Sequence, residues 1–130
     1  MVIDTSAIIA ILLGEPEAER ISIAVLDDPK RLMSAFSLLE CSLVIEGRKG
    51  EPGGRELDLL LHRLQVEVVS MNPAQSQIAR EAWRHFGKGR HPASLNIGDC
   101  CSYALASYAS EPLLFKGNDF NQSDIDYVEW

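Results

Sequence analysis

The sequence predicts an α/β domain in which a parallel central sheet is covered by helices on both faces. Short apolar runs within Met1 to Asp4, Val66 to Val69 and Pro112 to Phe115 are separated by much longer stretches of helical periodicity. Strands spaced that way need crossover connections, which makes them parallel and buries the sheet on both sides. The length, 130 residues, suits one core and not two. No internal repeat, low-complexity tract or linker interrupts the chain, so residues 1–130 read as one domain.

Met1 to Asp4 reads as the first strand, apolar, partly β-branched and ending in an acid. Thr5 to Leu13 follows as an apolar helix closed by Gly14. A second helix restarts at Glu15-Pro16 and runs through Leu26, with Ala18, Ile21, Ala24 and Val25 at helical spacing, until Pro29 ends it. Leu32-Met33 makes a minimal buried strand. A helix from about Ala35 to Glu46 is expected to stop at Gly47, and Glu51-Pro52-Gly53-Gly54 to form a turn. Arg55 to Arg63 is then helical, with Leu57, Leu60 and Leu61 on one face. Val66 to Val69 is the next strand, and Asn72-Pro73 opens a helix whose stripe is Ile78, Ala79, Ala82 and Phe86. Gly87 to Asn96 is a polar loop. Ile97 to Ala109 is helical, with Ile97, Cys101, Ala104, Leu105 and Tyr108 facing inward. Pro112 to Phe115 is the last clear strand, and the tail adds an edge strand near Tyr127-Val128.

Hydrophobic residues make up 46% and charged residues 24%, an ordinary balance for a globular protein. No apolar run approaches the ~18 residues of a membrane span. Met1-Val2-Ile3-Asp4 lacks the basic start of a secretory signal. Cys41, Cys100 and Cys101 show no C-x-x-C spacing and are odd in number, which suits buried, reduced thiols in a cytoplasmic protein. Twelve Lys+Arg against nineteen Asp+Glu give a net charge of −7, which counts against a nucleic-acid binder. Phosphate contacts need only a local basic patch, however, and acids gathered around a cation inflate the negative total.

Function in such a sheet gathers beyond the carboxyl ends of the strands. Asp4 stands there, where it either caps the following helix or binds a metal. Glu40 shares a helical face with Phe36, Leu43 and Val44. An ionised carboxylate on an apolar stripe is costly unless it snorkels, pairs with an arginine or meets a cation. Asp99 opens a helix whose dipole alone would favour it, yet Gly98 permits close approach of another group. Asp119 follows the last strand and, taken alone, is a loop acid. Ser6 and Asn96 lie beside these acids and are the expected supports. Together the four acids are hard oxygen ligands suited to Mg²⁺ or Mn²⁺, ions that bridge to phosphate oxygens and assist phosphodiester cleavage. Like charges in one pocket repel, so the site without its cation is strained.

Arg84, Lys88, Arg90 and His91 form the best local basic patch, either an RNA contact or a solvated loop. His62 and His85 read as surface or boundary residues, and no zinc spacing, phosphate-binding P-loop or dinucleotide fingerprint is present.

These residues resemble a known family. Val2-Ile3-Asp4-Thr5-Ser6-Ala7, Ser37-Leu38-Leu39-Glu40 and Leu95-Asn96-Ile97-Gly98-Asp99-Cys100 fall in the order and spacing of PIN-domain toxins of the VapC type, over the whole chain. Glu51-Pro52-Gly53-Gly54-Arg55-Glu56-Leu57 and Leu113-Leu114-Phe115-Lys116-Gly117 look like a mycobacterial-style branch of them. The resemblance implies a PIN fold, a Mg²⁺- or Mn²⁺-dependent endoribonuclease, a homodimer and a VapB-like antitoxin that blocks the site. It implies that Asp4, Glu40 and Asp99 are the acidic triad and that Asp119 is the nearest match to a fourth acid. Many members carry an acid two residues earlier, where this chain has Gly117. Two other readings compete: a phosphoacceptor receiver domain with an acidic Mg²⁺ pocket, and a non-catalytic interaction module on the same fold. A receiver needs an Asp after a middle strand, and Val66 to Val69 leads only to Ser70-Met71-Asn72.

Overall fold

Val2 and Ile3 form the first strand, β1, and point to opposite faces of the sheet, both fully buried. The computed structural model describes all residues from Met1 to Trp130. After β1 (Val2–Ile3) come α1 (Thr5–Leu12), α2 (Ala18–Asp27), β2 (Leu32–Ser34), α3 (Ala35–Lys49) and α4 (Glu51–Arg63). They are followed by β3 (Glu67–Val69), α5 (Pro73–Phe86), α6 (Ile97–Ala109), β4 (Leu113–Leu114) and a 3₁₀ turn at Phe120–Gln122. The four strands are parallel in the order β3-β2-β1-β4. Tyr127 adds one parallel bridge to Leu113, which is the extent of the expected tail strand.

The alternation of Val2 and Ile3 divides the core. Ile3 joins Ile8, Ile21, Met33, Ile45 and Leu57 under α1 to α4, whereas Val2 joins Leu95, Leu105, Leu113 and Phe115 under α5 and α6. Each such side chain taken fully out of water contributes ~1.5–3 kcal/mol. Because the chain steps outward from β1 to β2 and β3 and then returns to β4 on the other side, the order reverses between β1 and β4. That switch point is where an open parallel sheet presents its crevice.

Helix ends depart from the expected boundaries for local reasons. Gly14 closes α1 with a positive φ of 61°, and the Glu15 and Gly14 amides donate to the Ala10 and Ile11 carbonyls. The second helix begins at Ala18, because Glu15 to Glu17 form a turn in which the Ala18 amide donates to Glu15. Gly47 does not stop α3. The stop is Gly50, whose φ of 68° ends one helix and starts the next. Glu51-Pro52-Gly53-Gly54 is therefore the first turn of α4, with proline at a position where its missing N–H costs nothing.

Two faces are also corrected. On α3 the fully buried positions are Ser37, Cys41 and Ile45, so Glu40 is half-buried and Leu43 is 67% exposed. On α6 the first residue and the next-to-last face outward, Ile97 70% and Tyr108 51% exposed, while Cys101, Ala104 and Leu105 are buried. His62 and His85 are exposed. All three cysteines are free and buried, and burial pushes Cys41 up to about 12 and Cys100 and Cys101 to about 11, so they stay as thiols. No helix is long and apolar enough to cross a membrane.

Candidate active site

Asp4 leaves β1 at the switch point and is 4% exposed. It does cap α1: Oδ2 accepts from the Ser6 amide at 2.9 Å and from the Ser6 hydroxyl at 2.6 Å. Its other oxygen, Oδ1, accepts from the Ser102 hydroxyl at 2.6 Å. Every partner is a donor, so hydrogen bonds on both oxygens fix the orientation of the group. Ser6 is itself tied to the segment after β4, since its hydroxyl oxygen accepts from the Lys116 amide at 3.0 Å.

Asp99 sits in the first turn of α6, locked in a reciprocal capping box. Its amide donates to Asn96 Oδ1 and its Oδ2 accepts from the Asn96 amide, both at 2.9 Å. Burial pushes its carboxyl up to about 7, the Asn96 amide opposes that, and the negative charges of Asp4, Asp119 and Glu40 add to the rise. That response ties the four acids together electrostatically.

Glu40 reaches the same place from the opposite face of the sheet. Its carboxylate lies over Gly98, where a Cβ would crowd both carboxylate oxygens, so glycine lets Glu40 rest there without turning aside. Neither a cation nor a hydrogen-bond donor of the protein pairs with it. Asp119 is exposed in the segment after β4. Lys116, the cation closest in sequence, has its ammonium held by Glu15 and, at 3.0 Å, by Glu17. Those carboxylates raise its pKa and keep it charged.

The acids are not drawn into one tight cluster: no three His, Cys, Asp or Glu side chains are gathered closely enough to hold an ion together. Their donor chemistry nevertheless fits a hard divalent cation. Mg²⁺ keeps several waters and uses one or two carboxylates plus substrate phosphate, so a dedicated cage of close ligands is not required.

The basic group lies next door. Arg84, Lys88 and Arg90 are exposed, and Arg90 stacks 4.0 Å over the Trp83 ring. His91 is partly structural: its Nδ1 accepts from the Ala93 amide at 3.0 Å and its ring packs edge-on against Phe86. Arg84 is in the last turn of α5, and the loop that carries Lys88, Arg90 and His91 runs straight into Asn96 and Asp99. Between α3, α5 and the start of α6 lies an apolar groove of ≈ 460 Å³, lined by Phe36, Met71, Trp83 and Ile97.

Two site residues escaped the reading from sequence. Ser37 and Ser102 are fully buried, and their hydroxyls lie 3.1 Å apart. The available signal was spacing, because Ser37 is one helical turn before Glu40 and Ser102 one turn after Asp99.

The chain matches the family model described as PIN domain over residues 1–125. It is 58% identical to "Ribonuclease VapC" of Mycolicibacterium smegmatis, over 98% of this chain and 99% of that protein. It is 59% identical to "Ribonuclease VapC30" of Mycobacterium tuberculosis, over 98% of each chain. Among solved structures it superposes on VapC20 of Mycobacterium tuberculosis, described as a sarcin-ricin loop cleaving toxin, with a TM-score of 0.76, 18% identity and coverage of 98% and 97%. It also superposes on a chain of VapBC-1 from nontypeable Haemophilus influenzae with a TM-score of 0.72, 23% identity and coverage of 99% and 96%.

Proposed function

From the premise that this chain belongs to the PIN-domain family, among its VapC ribonucleases, we propose how its acidic site cleaves RNA. The protein is an endoribonuclease, the toxin of a toxin–antitoxin pair. The receiver reading gives way to that assignment. We assign Asp4, Glu40 and Asp99 to a divalent cation, Mg²⁺ or Mn²⁺, with Asp119 at the rim. The observation that carries this is the electrostatic coupling of acids from four segments around Asp99. There burial and mutual repulsion lift Asp99 to about 7 and leave Glu40 with no cation of the protein's own. Unpaired, half-buried negative charge of that kind is costly, and a divalent cation removes the cost.

A bound cation supplies neutralisation at the scissile phosphate. The protein's own residues do the rest. Ser6 and Ser102 hold Asp4 in a fixed rotamer, and the capping box with Asn96 aims Asp99. Gly98 lets the Glu40 carboxylate approach. Arg84, Lys88 and Arg90 receive the phosphates on either side of the cut, with His91 at the edge of that patch. A VapB-like antitoxin is the proposed partner that covers the acids. A second copy of the chain is proposed to pack on the exposed Leu39 and Leu43 of α3, at 55% and 67% exposure.

Cleavage of a mixed RNA pool by the antitoxin-free protein tests the assignment. Products are expected with Mg²⁺ or Mn²⁺, and neither with EDTA nor from Asp99→Asn. An Arg84→Ala/Arg90→Ala variant should bind RNA more weakly, with a salt slope shallower by about two phosphate contacts. Cleavage that survives EDTA and Asp99→Asn would place the chemistry elsewhere. Metal binding without any cleavage would favour an interaction module.

A further inference from the structure

We propose that Ser102, backed by Ser37, is a positioning residue that dictates how Asp4 presents itself to the cation. The inference rests on the assignment of Asp4 as a metal ligand. A carboxylate has roughly four lone-pair sites. On Asp4 the Ser6 amide and hydroxyl occupy both sites of Oδ2, and the Ser102 hydroxyl takes one site of Oδ1. One lone pair, on Oδ1, is left without a partner in the protein. Asp4 is thereby restricted to binding through a single oxygen.

The proton count gives the relay a direction. Ser102 has one hydroxyl proton and spends it on Asp4, so the 3.1 Å contact with Ser37 must be donated by Ser37. Ser102 therefore acts as acceptor and donor at once, which strengthens its bond to the carboxylate. The relay joins α3 and α6, helices that cover opposite faces of the sheet, at the point where Asp4 leaves β1. Both serines are 0% exposed. Alanine would pack in either place without burying a hydroxyl, and a buried hydroxyl costs free energy unless its hydrogen bonds are made. Packing alone gives no reason for serine at both positions.

Direct Mn²⁺ binding to the antitoxin-free protein, followed by electron paramagnetic resonance beside thermal melting and single-turnover cleavage, tests the relay. Ser102→Ala should weaken Mn²⁺ binding and slow cleavage about 10–100-fold, the usual loss when a ligand's supporting partner is removed. RNA affinity should be unchanged, and Ser102→Thr should recover most of the loss. Ser37→Ala should have a smaller effect, and no further effect when added to Ser102→Ala. A melting shift with Mn²⁺ affinity and cleavage intact would reduce the serines to packing and overturn the relay while the ribonuclease site stands. Absence of Mn²⁺ binding by the wild type would overturn both.

Discussion

At Asp99, burial acts first and the field of Asp4, Asp119 and Glu40 adds to it, lifting the carboxyl to about 7. The folded state holds that proton more tightly than the unfolded chain. Its contribution to stability is therefore fully present below the ordinary carboxylate range, near ~4, and is lost as pH rises through about 7. Asp99→Asn removes the charge and keeps an oxygen to accept from the Asn96 amide. Without metal at pH 8, that variant should be more stable than wild type by ~1 kcal/mol after solvent screening, a few degrees in Tm, with the gap closing towards pH 5. Equal or lower stability at pH 8, read by melting, would deny that charge repulsion strains the site. The positions of Asp4 and Asp99 in the fold were legible in sequence, because a strand end and a helix start can be read locally. Glu40 was picked out for the wrong reason. The presumed stripe of Phe36, Leu43 and Val44 is not the buried face, and what singles Glu40 out is the space over Gly98. Ser37 and Ser102 were not legible, because their meeting depends on two helices crossing from opposite faces.

The α3–α4 hairpin shows how an element can reverse a local signal. Glycine and proline at residues 50 to 54 read as a loop, yet Gly53 and Gly54 are buried in a helix pressed against α3. A Cβ on Gly53 would fall 2.9 Å from the Lys49 Cβ and 3.0 Å from the Ile45 carbonyl oxygen, atoms that cannot move without the helix. On Gly54 it would meet only the Glu46 carboxylate, the free end of a flexible side chain. Gly53→Ala should therefore cost ~1–3 kcal/mol of overpacking, whereas Gly54→Ala should be neutral or slightly stabilising through helix propensity. Chemical denaturation of the two variants checks this, and equal effects would mean that close helix approach is not what selects glycine at residue 53. Strands and long amphipathic helices were read correctly in existence and order. Their ends were set by caps and turns that only the tertiary contacts reveal.

For the whole molecule, a net charge of −7 sits uneasily with an RNA substrate until its distribution is considered. Acids gather at the switch point, while Arg84, Lys88 and Arg90 are exposed on the segment that leads to it. An antitoxin offering an arginine to the acids would exploit the same charge, and its affinity should then fall in an Asp4→Ala/Asp99→Ala variant. The exposed leucines of α3 belong to this scale as well. Leu39→Glu/Leu43→Glu should convert a dimer to single chains by light scattering, and an unchanged mass would move the contact to another face. The architecture was legible from alternation and length alone. The charge pattern was not, because it depends on which loops meet at one end of the sheet.

Direct Mn²⁺ binding by wild type, Asp4→Asn, Glu40→Gln, Asp99→Asn and Asp119→Asn tests the central claim, that these acids jointly hold the cation RNA cleavage requires. Saturable binding is predicted for wild type, weakened about tenfold or more by each of the first three substitutions and less by the fourth, at the exposed rim. No saturable binding, or binding indifferent to all four substitutions, would contradict the account.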